Sequence, residues 1–395
     1  MKKRFLSLLM VLCLAATMVP GAFAADGLHQ VDGVYQIEDA ADLRAFAELV
    51  NSGTTTANAV LTGNIDLGGQ TFTPIGNETS AYIGEFNGNN NTIMNGKIAN
   101  AEGSFLSGLF GHVGKNGKVE NIVFQNVHTT NSTSSGEETA TGIAVGRLYG
   151  KISGITTDAS CTVEGYYRTG GIVGDMRGLG PVISNCTNRA KVTGHGSYTG
   201  GITGATHELG LFASAKVVAA RISGCNNYGA VQGVSEVGGI AGYADRAAIE
   251  YCNNYATVTG TGNYGTGGIL GCDIYNYGLI KPQKGSTITD CANSGTISAP
   301  RAGGILGSYV AAPGDSQPSN APIYSVLTRC SNSGAITGAA GKCGAIFGYQ
   351  ITYAQGDAAS AVNNLQVKMV SCSNTGTVNG VEPSALSPSP YIVIE

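Results

Sequence analysis

The chain has 395 residues, 60 of them Gly, roughly twice the usual 7%, and its charged share of 12% is about half that of an average soluble domain. An apolar share of 42%, only 11 Pro and the lack of a Gly-X-Y period exclude collagen and a disordered chain, and the glycine content excludes a helical bundle. A formal charge of −4 offers no basic surplus for phosphate contact, which excludes nucleic acid as a partner and leaves a turn-rich all-β protein.

Lys2, Lys3 and Arg4 precede an apolar run over 5–19, then Pro20 and Ala22-Phe23-Ala24. This order of a basic, an apolar and a small-residue region predicts a signal peptide over 1–24, cleaved on export. The run is shorter than the ~20 residues a membrane span needs, so no membrane insertion is expected after cleavage. Removal leaves 19 Lys and Arg against 26 Asp and Glu.

Residues 34–37 read as a strand, and 39–51 as an amphipathic helix with Leu43, Phe46, Ala47 and Val50 on one face. Asp39 is placed to cap its start and Gly53 its end. Such a helix would cover the open end of a stacked β structure, where an unpaired edge otherwise invites aggregation. Residues 25–60 are therefore expected to form an N-terminal cap.

From there a phrase recurs: Ile-x-x-Cys-x-Asn-x-Gly/Ala-x-Val/Ile, a short linker, then Gly-Gly-Ile-x-Gly. Copies begin at Ile183, Ile222, Ile249, Ile288, Leu327 and Met369, with Gly-Gly-Ile units at 170–172, 200–202, 238–240, 267–269 and 303–305 and the variant Gly344-Ala345-Ile346. Upstream, Val119-x-x-Ile122 and Ile152-x-x-Ile155 carry Ile at the Cys position. Cys, Asn, the small residue and Val lie two apart, hence on one face of an extended chain. The unequal distances between copies suit a β-solenoid, whose turns absorb insertions while strands stay in register. The expected fold is a right-handed parallel β-helix over 61–380, with 381–395 a Pro-rich C-terminal tail.

Tyr35-x-Ile37, Asp42-Leu43-x-x-Phe46-Ala47, Asn64-Ile65-Asp66-Leu67, Pro74-Ile75-Gly76, Phe86-x-Gly88-x-x-x-Thr92-Ile93 and Gly108-Leu109-Phe110-Gly111 follow in an order that resembles the GLUG-motif proteins of bacterial cell surfaces. The Gly-Gly-Ile-x-Gly copies look like further members of that series, and the resemblance spans about 34–380. It implies an extracellular β-helix of the kind found in adhesin-like proteins and in the non-catalytic N-terminal region of IgA-specific zinc peptidases. It implies no defined activity. No His-Glu-x-x-His zinc helix is present, so proteolysis is not carried over.

The nine cysteines left after cleavage are an odd number and interchange with Ile, which marks them as small buried hydrophobes rather than a disulfide framework. Cys272 and Cys343, outside the main ladder, could still bridge. The five histidines are scattered, and no nucleophile elbow, phosphate loop or Cys-x-x-Cys occurs, so no catalytic residue, metal ligand or cofactor is assigned. Long connections after Gly-Gly-Ile-x-Gly, at 205–221, 272–287, 308–326 and 349–368, leave one corner of the solenoid and carry Phe212, Tyr275, Tyr277, Tyr309, Tyr324, Tyr349 and Tyr353. Asp175, Asp245 and Asp273 follow the closing glycines and would gather along the same edge. Tyr275, Tyr277, Tyr309, Tyr324, Tyr349, Tyr353, Asp245 and Asp273 are the expected ligand-binding residues, facing a glycan or a surface protein. The reading is a secreted or cell-surface, non-enzymatic interaction module; a polysaccharide lyase or hydrolase and a passive spacer stay open as alternatives.

Overall fold

The computed structural model describes residues 28–395 except 102–103, 132, 134–137, 179, 208–219, 277–284, 313–323, 353–365, 384 and 389–391; the leader expected over 1–24 lies outside the described residues. The chain winds into a parallel β-helix. Its first sheet has 13 strands, antiparallel only at Gln30–Val31 with Val34–Ile37. One column of that sheet runs through Val119, Ile152, Ile183, Ile222, Ile249, Ile288, Leu327 and Met369 in unbroken parallel register. These residues are buried in the main core.

Each coil then turns a corner of two residues, and in eight successive coils the first of them has positive φ: Asn121, Gly154, Asn185, Gly224, Tyr251, Asp290, Arg329 and Ser371. A left-handed residue costs a non-glycine about 1–2 kcal/mol. The sharp corner pins the next residue inward, where Ile122, Ile155 and then the cysteines sit. There the thiols of Cys186, Cys225, Cys252, Cys291 and Cys330 donate to the carbonyl two residues before. All nine described cysteines are free thiols, Cys272 and Cys343 among them.

The second sheet holds two short strands per coil, such as Thr187–Asn188 and Lys191–Gly194. Between them runs a ladder of buried amides: each Nδ2 donates to the next Oδ1 from Asn188 to Asn227 (2.9 Å), Asn254 (2.8 Å), Asn293 (2.7 Å), Asn332 (2.7 Å) and Asn374 (2.8 Å). Each amide also donates to the backbone carbonyl two residues on, as Asn254 does to Ala256. The ladder stands at a waist. On one side lies the main core of Ile, Cys and Leu; on the other is a narrow second core with Val192, Val231, Val237 and Val258.

The third sheet, Leu106–Ser107 to Cys343–Gly344, lies directly on the fourth, Phe110–Val113 to Phe347–Thr352. Gly-Gly-Ile-x-Gly makes this contact possible. A Cβ on Gly200 would strike the Thr203 carbonyl, one on Gly201 the Asn227 amide, and one on Gly204 the backbone of Arg168 and Thr169. The motif is therefore a steric requirement of three close approaches.

Both ends are covered. The helix Ala40–Asn51, capped by Asp39 through the N–H groups of Ala41 and Asp42, buries Leu43, Phe46, Ala47 and Val50 against the first coil. Phe46 packs on Tyr35, Tyr82 and Phe86. At the other end the expected tail is corrected: the Leu386 carbonyl accepts from Ile346 and Phe347 N–H, and Ile392–Ile394 adds a parallel strand beside Gln366–Val370. Edge groups of that coil would otherwise lie open, and Val381, Leu386 and Ile392–Ile394 satisfy several of them.

Two stability outcomes follow from the waist. Asn254→Ala strands the Asn227 donor and the Asn293 acceptor, and should cost about 2–4 kcal/mol in urea titration. Gly201→Ala should lower the urea midpoint at least as far, since no flexible atom can yield to the new methyl.

Candidate functional site

The residue after the closing glycine forms a column on the fourth sheet: His112, Arg147, Asp175, Ala205, Tyr243, Cys272, Ser308 and Tyr349 are successive register partners. This column lies at the edge where the chain leaves for the next coil. Its chemistry changes sign between neighbours, because Arg147 pairs in register with Asp175.

Asp175 is fully buried. Arg177 Nε donates to its Oδ2 at 2.5 Å and His207 Nδ1 lies 2.9 Å from Oδ1, while Arg147 Nε and Arg168 Nε stand 3.6 Å from Oδ2. Burial alone would raise its pKa, but His207, Arg177 and Arg168 outweigh it and hold the carboxyl well below the usual range. Glu138 approaches from the connection before the third sheet. Its Oε2 accepts from Nη2 of Arg147 (2.8 Å) and pairs with Nη2 of Arg177 (2.9 Å).

Further along, the rings of Tyr198, His207 and Tyr243 lie 4.7–5.9 Å apart, and the Arg168 guanidinium lies over Tyr198. Burial pushes Glu236 up to about 7, a hydrogen bond from Ser197 only partly opposing it, and Oε2 has no hydrogen-bond partner. Asp273 is fully buried and is pushed up to about 6 by burial, against hydrogen bonds from Ser325 and Ser286. Its carboxylate accepts from Ser286 N (3.0 Å), Ser286 Oγ (2.7 Å) and Ser325 Oγ. Asp273 thus fastens the far ends of two inserted connections, 277–284 and 313–323.

Several expected ligand-binding residues take other places. The fourth-sheet strands lengthen to Leu270–Asn276, Leu306–Ala312 and Phe347–Thr352, pairing residue by residue, so Tyr275, Tyr309 and Tyr349 are strand residues. Tyr309 is fully buried in the main core and Asp273 has no exposed surface, which corrects both as ligand contacts. Tyr324 begins the strand Tyr324–Thr328. Tyr349 is half-buried, with Arg301 at 5.1 Å and Lys342 at 5.9 Å from its ring centroid. Asp245 is half-buried beside Arg246 at 3.3 Å; burial raises its pKa against Arg246 and His207. Tyr277, Tyr353 and Phe212 lie outside the described residues. The three aspartates fall at different register positions: Asp175 in the column of Ala205, Tyr243 and Cys272, Asp273 in the next column beside Ala244, and Asp245 just beyond the strand Ala241–Ala244; Asp175 is the one that gathers charge. Arg147, Arg168, Arg177, His207 and Glu138 were not singled out, although opposite charges after two closing glycines, Gly146 and Gly174, were visible. Among the described residues no group of three His, Cys, Asp or Glu is placed to hold a metal ion.

No known family profile matches the chain. A stretch of 163 residues is 31% identical to halomucin of Haloquadratum walsbyi, covering 35% of this chain and 2% of that protein. Another of 98 residues is 32% identical to a protein of Evansella cellulosilytica provisionally named a Gly-rich membrane protein, covering 25% of this chain and 11% of the other. The chain thus spans a small fraction of the length of these relatives. A crystal structure from Bacteroides ovatus, of a protein provisionally named an immunoglobulin A1 protease, superposes with a TM-score of 0.54 at 23% identity, over 67% of this chain and 77% of that one. That likeness establishes the parallel β-helix fold.

The raised carboxyls carry a pH dependence. Glu236 binds its proton more tightly folded than unfolded, so its contribution to stability is complete below about pH 4.5 and is lost as pH rises through about 7. Glu236→Gln should match the parent chain at pH 4.5 and exceed it at pH 8 by on the order of 3 kcal/mol, read from urea midpoints at the two pH values.

Proposed function

We propose that this chain is a secreted or cell-surface interaction module of the GLUG-motif type, non-enzymatic, which binds a glycan or a surface protein along the edge where the fourth sheet hands over to the first. One observation carries the reading. In the eight coils from Lys118 to Asn374 the corner between first and second sheets is always two residues. The connection from fourth to first sheet instead ranges from two residues at 149–150 to thirteen at 208–220 and 353–365. The connection from second to third sheet varies less, from one residue at 234 to nine at 131–139. A solenoid that holds one corner fixed and lets another lengthen keeps its scaffold while diversifying its surface, which is how repeat proteins build an interaction face.

Relatives named halomucin and Gly-rich membrane protein support an envelope or extracellular setting. Among the described residues no helix is long and apolar enough to cross a membrane. The protease name of the structural relative lends no chemistry: His207-Glu208-Leu209-Gly210-Leu211 lacks the second histidine of a zinc helix. Asp273, with its raised pKa, is sealed from any substrate.

The test is retention of the chain lacking 1–24 on immobilised glycans and surface proteins, with released sugar ends assayed. Retention without new ends is expected, and replacing 313–323 by a short link should weaken it by about tenfold or more while circular dichroism is unchanged, as for interface segments that hold hot spots. New sugar ends abolished by Asp245→Asn would make the chain an enzyme; no retention on any surface would make it a spacer.

A further inference from the structure

The strongest unexplained feature of the edge is the relation of Glu138 to the arginines. Arg147, Arg168 and Arg177 converge on the single buried carboxylate of Asp175. The three guanidinium groups and the Asp175 carboxylate together carry a net charge of +2 in a protein whose formal charge is −4. Arg168 is only 6% exposed, and its Nε and Nη1, like Arg147 Nε, make no hydrogen bond among the described residues. A guanidinium is a rigid fork of five donors that never deprotonates, so buried donors without acceptors are a standing demand for another anion.

Part of that demand is met by a side chain that is itself in water. The Glu138 side chain is 55% exposed, yet one of its oxygens takes a hydrogen bond from Arg147 and forms an ion pair with Arg177, whose side chains are only 11% and 12% exposed. A carboxylate held this way lies over the mouth of a cationic cradle and can leave it without disturbing the core. Removing it leaves Arg147 Nη2 bonded to the Glu138 carbonyl at 2.9 Å and frees its other N–H together with Nη2 of Arg177, two donors that can grip a planar carboxylate.

The surroundings suit a sugar. Tyr149, Tyr166, Tyr167 and Tyr198 are all half-buried near the cradle. Tyr149 packs on His112, Tyr166 on Tyr167, and Tyr198 beneath Arg168. The Tyr167 N–H donates to the hydroxyl of Thr139, next to Glu138. A tyrosine gives a ring face to the C–H side of a pyranose and a hydroxyl to its edge, whereas the flexible, charged side chains of an acidic peptide gain less from such rings.

We propose that Arg147, Arg168 and Arg177 form a binding site for the carboxylate of an acidic glycan, a uronate or sialate unit, and that Glu138 is its built-in occupant, displaced when the glycan binds. This rests on the interaction-module reading and names a ligand class for the same edge.

The experiment is titration calorimetry of the parent chain, Glu138→Ala and the double variant Glu138→Ala/Arg177→Gln with an oligogalacturonate, its methyl ester and an oligoglutamate peptide. Glu138 is exposed, so its replacement leaves packing intact, which an unchanged circular dichroism spectrum verifies; the thermal midpoint should fall, because two arginines lose an anion, and recover when the oligogalacturonate is bound. Glu138→Ala should bind the oligogalacturonate about tenfold or more tighter than the parent chain, from two freed charge-assisted donors. The methyl ester should bind neither form, and Arg177→Gln should cancel the gain. Equal affinity of parent and Glu138→Ala, or equal binding of acid and ester, would overturn the proposal. Preference for oligoglutamate would transfer the cradle to a peptide ligand and overturn the glycan assignment. Retention lost on shortening 313–323 but indifferent to Glu138→Ala would leave the edge as the interaction face while removing the cradle.

Discussion

From Asn188 to Asn374 each coil meets the next through one asparagine, and within that ladder each satisfies its neighbours on three sides: the amide below, the amide above and the backbone turn two residues on. An amide carries its donor and its acceptor on separate atoms, so a stack of identical amides can bond along its axis without end and bury no unmet polar group. The parallel backbone spacing of about 4.8 Å matches that bond only when every coil is in register. A shift of one residue would turn the asparagines outward and bring their exposed neighbours in. Register, the two cores and the placement of every edge residue all depend on this constraint.

Glycine does the complementary work. Because the third sheet presses on the fourth with backbone against backbone, three positions per coil cannot carry a Cβ, and one of them makes room for the asparagine ladder. Ala345 replaces glycine at that position in the last Gly-Gly-Ile unit, where no further such unit follows in the described residues. The cost of so much glycine is conformational entropy, offset by burying two cores within a thin cross-section.

The polar edge follows from this rigidity. Strands fixed in register bring Arg147, Asp175 and His207 together from three coils, and the short third-sheet strands deliver Arg168 with a positive φ of 43°. Such a cluster would be costly in a soft protein, because buried charges lose their hydration unless geometry holds them paired. Here the pairing is incomplete by several donors, and the incompleteness faces the side on which the connections vary in length.

The repeat, the helical cap with its Asp39 start, the buried thiols and the one-sided insertions were legible in the sequence, because each is a local pattern whose period or spacing reflects a physical demand of stacking. The closing strand at Ile392–Ile394 was not, since three apolar residues after prolines have no period to read. Nor was the left-handed corner, which Tyr251, Arg329 and Asp290 occupy as well as glycine does, so no residue type marks it. Tyr309 and Asp273 show the limit most directly. In sequence they stand beside long connections like any loop residue, but extension of the neighbouring strands through cross-coil pairing carries both indoors. Sequence by itself determined the fold class and the side that varies, because both repeat along the chain. Only the tertiary structure decided which charges meet, because Glu138 and Arg147, then Arg168, Asp175 and Arg177, then His207 come from three successive coils, and stacking alone makes them neighbours.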